Sequence, residues 1–343
     1  MVERGRYRPV VWVLFVVATL AAVVVCLSLG SVRVPLPDAA REVGRFLTGR
    51  PAFDKTVWSI VVTVRFPRVL VAGLMGASLS VSGCAMQGLL KNPLADGTTL
   101  GISSGAGLGA VIAIAFGIQI PALPFAGTTI MAAAFSFLSL LVILTLAYQI
   151  DRSLSSNTII LLGIIFSMFI ASLSSIIITF AGEKAGTILF WTMGSLASTT
   201  FANAALLFFS LLVFGGILLS MRRELNAFAI GEENALHVGV DVKRTKLLVL
   251  ISVSALTGIC VSVGGTIGFV GLVTPHMVRY LVGPNHLRLM PAVLFGGAIF
   301  LMLSDLAART LFSPRELPIG VVTSLIGAVI FVNIIVAAMR KVK

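Results

Sequence analysis

The chain has 343 residues, of which 58% are hydrophobic and only 11% charged, with a formal net charge of +12. Its 33 glycines lift the apolar share to about 68%, against roughly 45–50% in soluble domains, which also carry about 25% charged residues. Such a chain cannot cover a water-facing surface, so a polytopic protein solvated by the lipid bilayer is indicated, and disordered, secreted disulfide-rich and nucleic-acid-binding classes are excluded.

A bilayer takes about 20 apolar residues per spanning helix. The first candidate, 10–30, follows Arg4, Arg6 and Arg8 and could mimic a signal peptide. Its apolar core is too long for that, and Val25 before Cys26 spoils a lipoprotein cleavage site, so a retained first helix is predicted. Further spans are predicted at 69–90, 99–117, 125–148, 158–180, 202–221, 247–267, 290–309 and 319–339. The piece 269–283 holds Pro275, His276 and Arg279, and reads as a short, protein-buried helix that brings the total to ten. The apolar piece 187–198 is too short to span and is placed near the interface. The spans at 69–90 and 99–117 are rich in Gly and Ser, which lets helix backbones approach closely. Cys26, Cys84 and Cys260 each lie in an apolar run without ligand spacing, and read as small buried hydrophobes.

With both termini inside, fourteen Lys and Arg fall on inner segments and eleven on outer ones, Arg279 counted with the outer set. The margin is thin because the outer side also gathers arginines. Arg65 and Arg68 flank Pro67, which disfavours α conformation at Phe66, so Arg65 is expected on the approach and Arg68 at the helix start. Arginine there opposes that helix's own macrodipole, a poor choice for stability alone. With Arg309 and Arg315 they make a basic rim suited either to an acidic protein partner or to lipid phosphates. Asp305 lies one turn before Arg309. An i,i+4 pair is the preferred reading, a proton-relay carboxylate the other. Met168 and Met193 are either pathway lining or core filler.

Some chemistry is missing. No lysine follows a glycine, so no Walker A motif exists, and HExxH, GxSxG and paired membrane carboxylates are absent as well. Three scattered histidines do not suggest a metal site. The loop 222–246 is the exception in an apolar chain: mixed charges interleaved with Leu225, Ala229, Ala235, Leu236 and Val238 suit short helices docking in a partner's groove.

The run 65-RFPRVLVAGLMGASLSVSGCAMQGLLKNPLADGTTLGISSGAGLGA-110 resembles the FecCD-type permeases, the membrane subunits of type II ABC importers for iron–siderophore complexes, haem and vitamin B12. So do 231-GEENALHVGV-240, 264-GGTIGFVGLVTPHMVRYLVGPNHLRLMP-291 and 316-ELPIGVVTSLIGAVIF-331, in the family's order. The resemblance implies an all-α, ten-helix, vitamin B12 importer-like bundle occupying 1–343 as a single permease domain in a bacterial or archaeal cytoplasmic (inner) membrane. It implies a second permease subunit, giving a homodimer or a pairing with a paralogue, two cytoplasmic ATP-binding subunits, and an external binding protein. No cofactor would bind directly; ATP and Mg would sit on the partner subunits, and the chain would not itself be an enzyme. By the same resemblance Arg65, Arg68 and Arg309 dock the binding protein, with Arg315 added on charge alone. Gly231, Glu232, Glu233, Ala235 and Gly239 press into the ATPase, and Asn92, Ser156 and Asn157 form a cytoplasmic gate. Asn and Ser also cap helices, a reading compatible with the gate. Gly97 stands where the family commonly has proline, which predicts a looser turn. An ion-coupled secondary transporter is the alternative, with Asp305 as the acid it would need.

Overall fold

The computed structural model describes residues 9–97, 100–118, 120, 126–151 and 155–340. The ten spanning helices are α1 (Pro9–Ser28), α3 (Lys55–Leu90), α4 (Ile102–Phe116), α5 (Ala126–Ile150), α6 (Ser156–Phe180), α8 (Phe201–Ser220), α11 (Val242–Gly264), α12 (Val270–Val282), α13 (His286–Thr310) and α14 (Ile319–Arg340). Among the described residues seven are long and apolar enough to cross by themselves, α4 and α14 contribute shorter apolar stretches, and α12 is the short helix predicted to be buried in protein. Four further α-helices among the described residues are too short to span: α2 (Leu36–Leu47), α7 (Ala185–Thr192), α9 (Arg222–Ala229) and α10 (Glu232–His237).

Small residues make α3 the central post. Gly83 faces the Gly271 backbone of α12 and Gly76 the Gly297 carbonyl of α13, closely enough that a Cβ at either glycine would overlap those atoms. In hydrocarbon no hydrophobic effect joins helices, so this close van der Waals contact is what holds them. The central window of α3 is 78% buried, whereas that of α6 is only 17% buried and bares Leu161, Ile165, Met168 and Phe169.

Two boundaries and the placement of one arginine differ from the sequence reading. The third span begins at Ile102 rather than 99, because residues 91–97 leave the helix axis and fold back against the bundle. Lys91 adopts a left-handed conformation (φ 49°) and the Asn92 carboxamide accepts the Leu94 N–H at 2.9 Å. Ala95, Asp96 and Leu100 are buried, a backbone path tolerated at that depth because protein surrounds it. The helix bearing Arg65 starts at Lys55 and runs straight through Phe66-Pro67, against the expected break. A π-helical stretch over Ser59–Arg65 precedes it, with the Phe66 N–H bonded five residues back to Val61. The ladder is already shifted there, and Pro67, at the start of the α-helical part, meets no obstruction. The last correction concerns Arg279. It bonds Gln87 Oε1 at 3.3 Å, close to Lys91 and the α9–α10 end, not with the outer arginines. Moving it widens the basic bias to fifteen against ten.

Candidate functional site

The arginines predicted to form an exposed outer rim converge, but inside the subunit. Arg65, Arg68 and Arg309 are 4%, 6% and 4% exposed, and only Arg315 faces outward. Arg68 Nε donates to both Asp305 carboxylate oxygens at 3.0 and 3.1 Å, Nη2 lies 2.9 Å from Oδ1, and Nη1 reaches Glu316 Oε2 at 2.9 Å. Arg309 Nε approaches Asp305 Oδ2 at 3.5 Å, the predicted i,i+4 contact, while its Nη2 donates to the Cys26 carbonyl at 2.6 Å. Arg65 donates to the carbonyls of Leu27 at 2.8 Å, Ser28 at 3.0 Å and Val32.

Arg65 serves not its own helix but the C-terminus of α1, whose last-turn carbonyls have no intrahelical partner and carry partial negative charge, and Arg309 joins it there from the last turn of α13. Asp305 is shared between two guanidinium groups, so it is not a free relay acid. The sequence did not show Arg68 as the common partner of Asp305 and Glu316, because these contacts join residues 237 and 248 positions apart.

Across the start of α14 lies an open cavity of about 520 Å³. Ser103 of α4, Thr192 and Met193 at the end of α7, Thr266 between α11 and α12, and Ser324 of α14 line it together with apolar groups and glycines. Its wall is sewn by backbone bonds: Ile319 N–H to Gly194 O at 3.0 Å and Gly320 N–H to Met193 O at 3.1 Å, with Thr266 Oγ1 donating to the Thr192 carbonyl. None of the described lining residues is charged. Met193 is thus a wall residue, whereas Met168 lies on the bare outer face of α6.

At the other end, Asn92 is half-buried and organises its own turn. Ser155, not Ser156, caps α6: its hydroxyl accepts the Thr158 N–H at 3.4 Å. That leaves Asn157 exposed and Ser156 half-buried in the first turn without a capping role. Gly97 does not loosen the turn. A Cβ there would meet the Thr257 side chain of α11, so glycine allows the segment to pack against that helix.

The 222–246 loop folds as α9, α10 and the first turn of α11. Gly231, at φ +120°, turns the chain between the two short helices, a conformation most side chains disfavour. Leu225, Phe228 and Ala235 are fully buried against the bundle. These helices project beyond the spans, so burial there follows the hydrophobic effect at roughly 1.5–3 kcal/mol for a large side chain. Glu232 pairs with the buried Lys246 ammonium at 2.8 Å and so faces inward, while Glu233, Leu236, His237, Val238 and Gly239 are exposed. Asn226, unnoticed in the sequence, ties α9 to α13. Its Oδ1 accepts the His286 backbone N–H at 2.9 Å and its Nδ2 donates to Asn285 Oδ1 at 2.9 Å.

A ten-helix bundle with a docked pair of short helices, an uncharged cavity and no nucleotide motif invites comparison with known permeases. The model of the FecCD transport family matches residues 18–337. This chain belongs to the FecCD transport family. An ABC transporter permease protein of Bacillus subtilis, YvrB, is 39% identical over 93% of this chain and 91% of its own length. The cobalamin import system permease protein of Halobacterium salinarum is 35% identical, covering 82% of this chain and 74% of that one. A solved structure described as an inward-facing conformation of a metal-chelate type ABC transporter superposes with a TM-score of 0.84 at 30% identity, over 96% of this chain and 99% of the other. Membership of the FecCD family makes the chain a multi-pass permease of the ABC importer class.

Proposed function

We propose that this FecCD-family permease carries a caged metal chelate, an iron chelate first and a corrinoid second, into the cytoplasm by alternating access. The observation that carries the reading is the 520 Å³ cavity, walled by hydroxyls, a thioether and apolar groups with no charged side chain among its described lining residues. Such a wall suits an organic ligand that already satisfies its metal, and offers a bare anion no counter-charge. The family relationship and the cobalamin relative are consistent with that cargo class.

In this reading two cytoplasmic ATP-binding subunits hold the ATP and Mg and engage the exposed face of α10, with Glu233, Leu236 and Gly239. Glu232 and Ala235 hold α10 to the bundle, and Gly231 sets its angle. Two copies meet with Asn92, Ser156 and Asn157 facing the two-fold axis as the gate. An external binding protein docks at the opposite end over Arg68, Arg309 and Arg315, with Arg65 buttressing from below. Both termini lie in the cytoplasm. Nothing favours the ion-coupled alternative, since Asp305 is held by Arg68 and Arg309.

Reconstitution tests it. Liposomes holding this chain with its ATP-binding subunits should take up a ferric siderophore only with ATP and the cognate binding protein. Uptake driven by an ion gradient without ATP would overturn the reading, and ATP-driven uptake of a free oxoanion in its place would overturn the cargo.

A further inference from the structure

The outer charge cluster is one carboxylate short. Arg65, Arg68 and Arg309 bring three cations to it, and Asp305 and Glu316 bring two anions. The Arg309 Nε is buried without a well-formed hydrogen bond. Arg68 presents two different edges. Its Nε and Nη2 edge is held by Asp305, whose side chain is 1% exposed inside α13 and has nowhere to go. Its Nη1 is closed by Glu316, whose side chain is 38% exposed and reaches in from the exposed connection 311–318.

The backbone around Glu316 does not depend on that carboxylate. Leu317 N–H is bonded to the Ala308 carbonyl at 2.9 Å, and the Ile319 and Gly320 N–H groups to Gly194 and Met193. A rotamer change of Glu316 alone therefore uncovers Arg68 Nη1, with no loop movement and no loss of the Asp305 pair. Lipid phosphate is a poor substitute occupant, because Arg68 is only 7% exposed along its side chain and cannot snorkel outward.

We propose that Glu316 is an exchangeable carboxylate: it closes Arg68 in the free permease and rotates away when a carboxylate of an acidic external protein takes its place. The inference rests on the docking reading above and adds its regulation. With the incoming acid and the displaced Glu316 both at the mouth, three anions face three cations. Neutral or misplaced surfaces cannot supply that exchange, so the covered arginine selects its partner. Glu316 lies three residues before α14, whose first turns line the cavity, so displacement occurs on the element that walls the pathway.

The experiment uses the assembled importer in nanodiscs and its own labelled binding protein, comparing wild type with Glu316→Gln, Glu316→Ala and Glu316→Asp. Removing the competitor should tighten docking about fivefold in the Gln and Ala variants, the factor expected for a partly exposed ion pair. Glu316→Asp keeps the charge but shortens the reach, so it should fall between. Wild-type docking with unchanged or weaker binding in both Gln and Ala variants overturns the exchange. So does an Asp variant that binds like wild type, since bulk charge would then explain the gain. Failure of the wild type to dock at all removes the docking reading itself. A wild-type size-exclusion profile and full retention of the ATP-binding subunits in each variant control for folding.

Discussion

Asp305 joins three elements through one carboxylate: Arg68 on α3, Arg309 on its own helix, and through Arg309 the end of α1. Its side chain is 1% exposed, so removing its charge leaves the buried Arg309 without a carboxylate and Arg68 with Glu316 alone. Breaking a buried pair by deleting one partner costs about 3–5 kcal/mol. Asp305→Asn should accordingly lower the thermal unfolding midpoint in detergent sharply, while Glu316→Gln, acting at a half-exposed pair, should cost under about 1 kcal/mol. Equal midpoints for the two variants would contradict the ranking. The sequence showed the Asp305–Arg309 spacing, because i,i+4 is local. It could not show Arg68, because no pattern rule links residues so far apart.

The short helices show how an element can hold two faces at once. In α10 the pair Glu232 and Glu233 looked equivalent, yet helical geometry turns neighbours about 100° apart, and only Glu232 meets Lys246. Replacing the two should therefore have separable effects. Glu233→Lys is expected to weaken assembly with the ATP-binding subunits, read by co-purification, without moving the unfolding midpoint. Glu232→Gln is expected to loosen α10 from α11, read as faster hydrogen exchange over 232–240, and to leave ATP hydrolysis uncoupled from uptake. Exchange unchanged in Glu232→Gln would show that Lys246 does not hold α10. The interleaving of apolar and charged residues in 222–246 announced short helices correctly; which acid turned inward depended on the register of α10 against α11.

Across the whole molecule, the most exposed long face belongs to α6, which carries Asn157 exposed in its first turn. If two copies meet there about a two-fold axis, each Asn157 faces its own counterpart. Cys26, Cys84 and Cys260 are free and buried, so a background lacking them can carry a single new thiol. Asn157→Cys in that background should form a disulfide-linked dimer under mild oxidation and block uptake, with Ser156→Cys reacting more slowly because it is half-buried. No dimer at either position, with outer-rim controls behaving normally, would move the interface elsewhere.

Composition alone determined that the protein lives in lipid, and apolar run lengths determined nine crossings, because the bilayer imposes its thickness on any chain it dissolves; 269–283 is too short for that rule. Four ordered motifs determined the family. Charge patterning located the partner-facing loop and gathered the outer arginines. Only the tertiary structure decided that those arginines are inside, that α3 passes unbroken through Pro67, that residues 91–97 fold back on α11, and that Arg279 belongs to the other end. Each of these depends on atoms brought together by helix packing: a guanidinium finds carbonyls of a neighbouring helix, and a glycine finds another helix's side chain. Local periodicity carries the length and face of a helix, but not the identity of what packs against it.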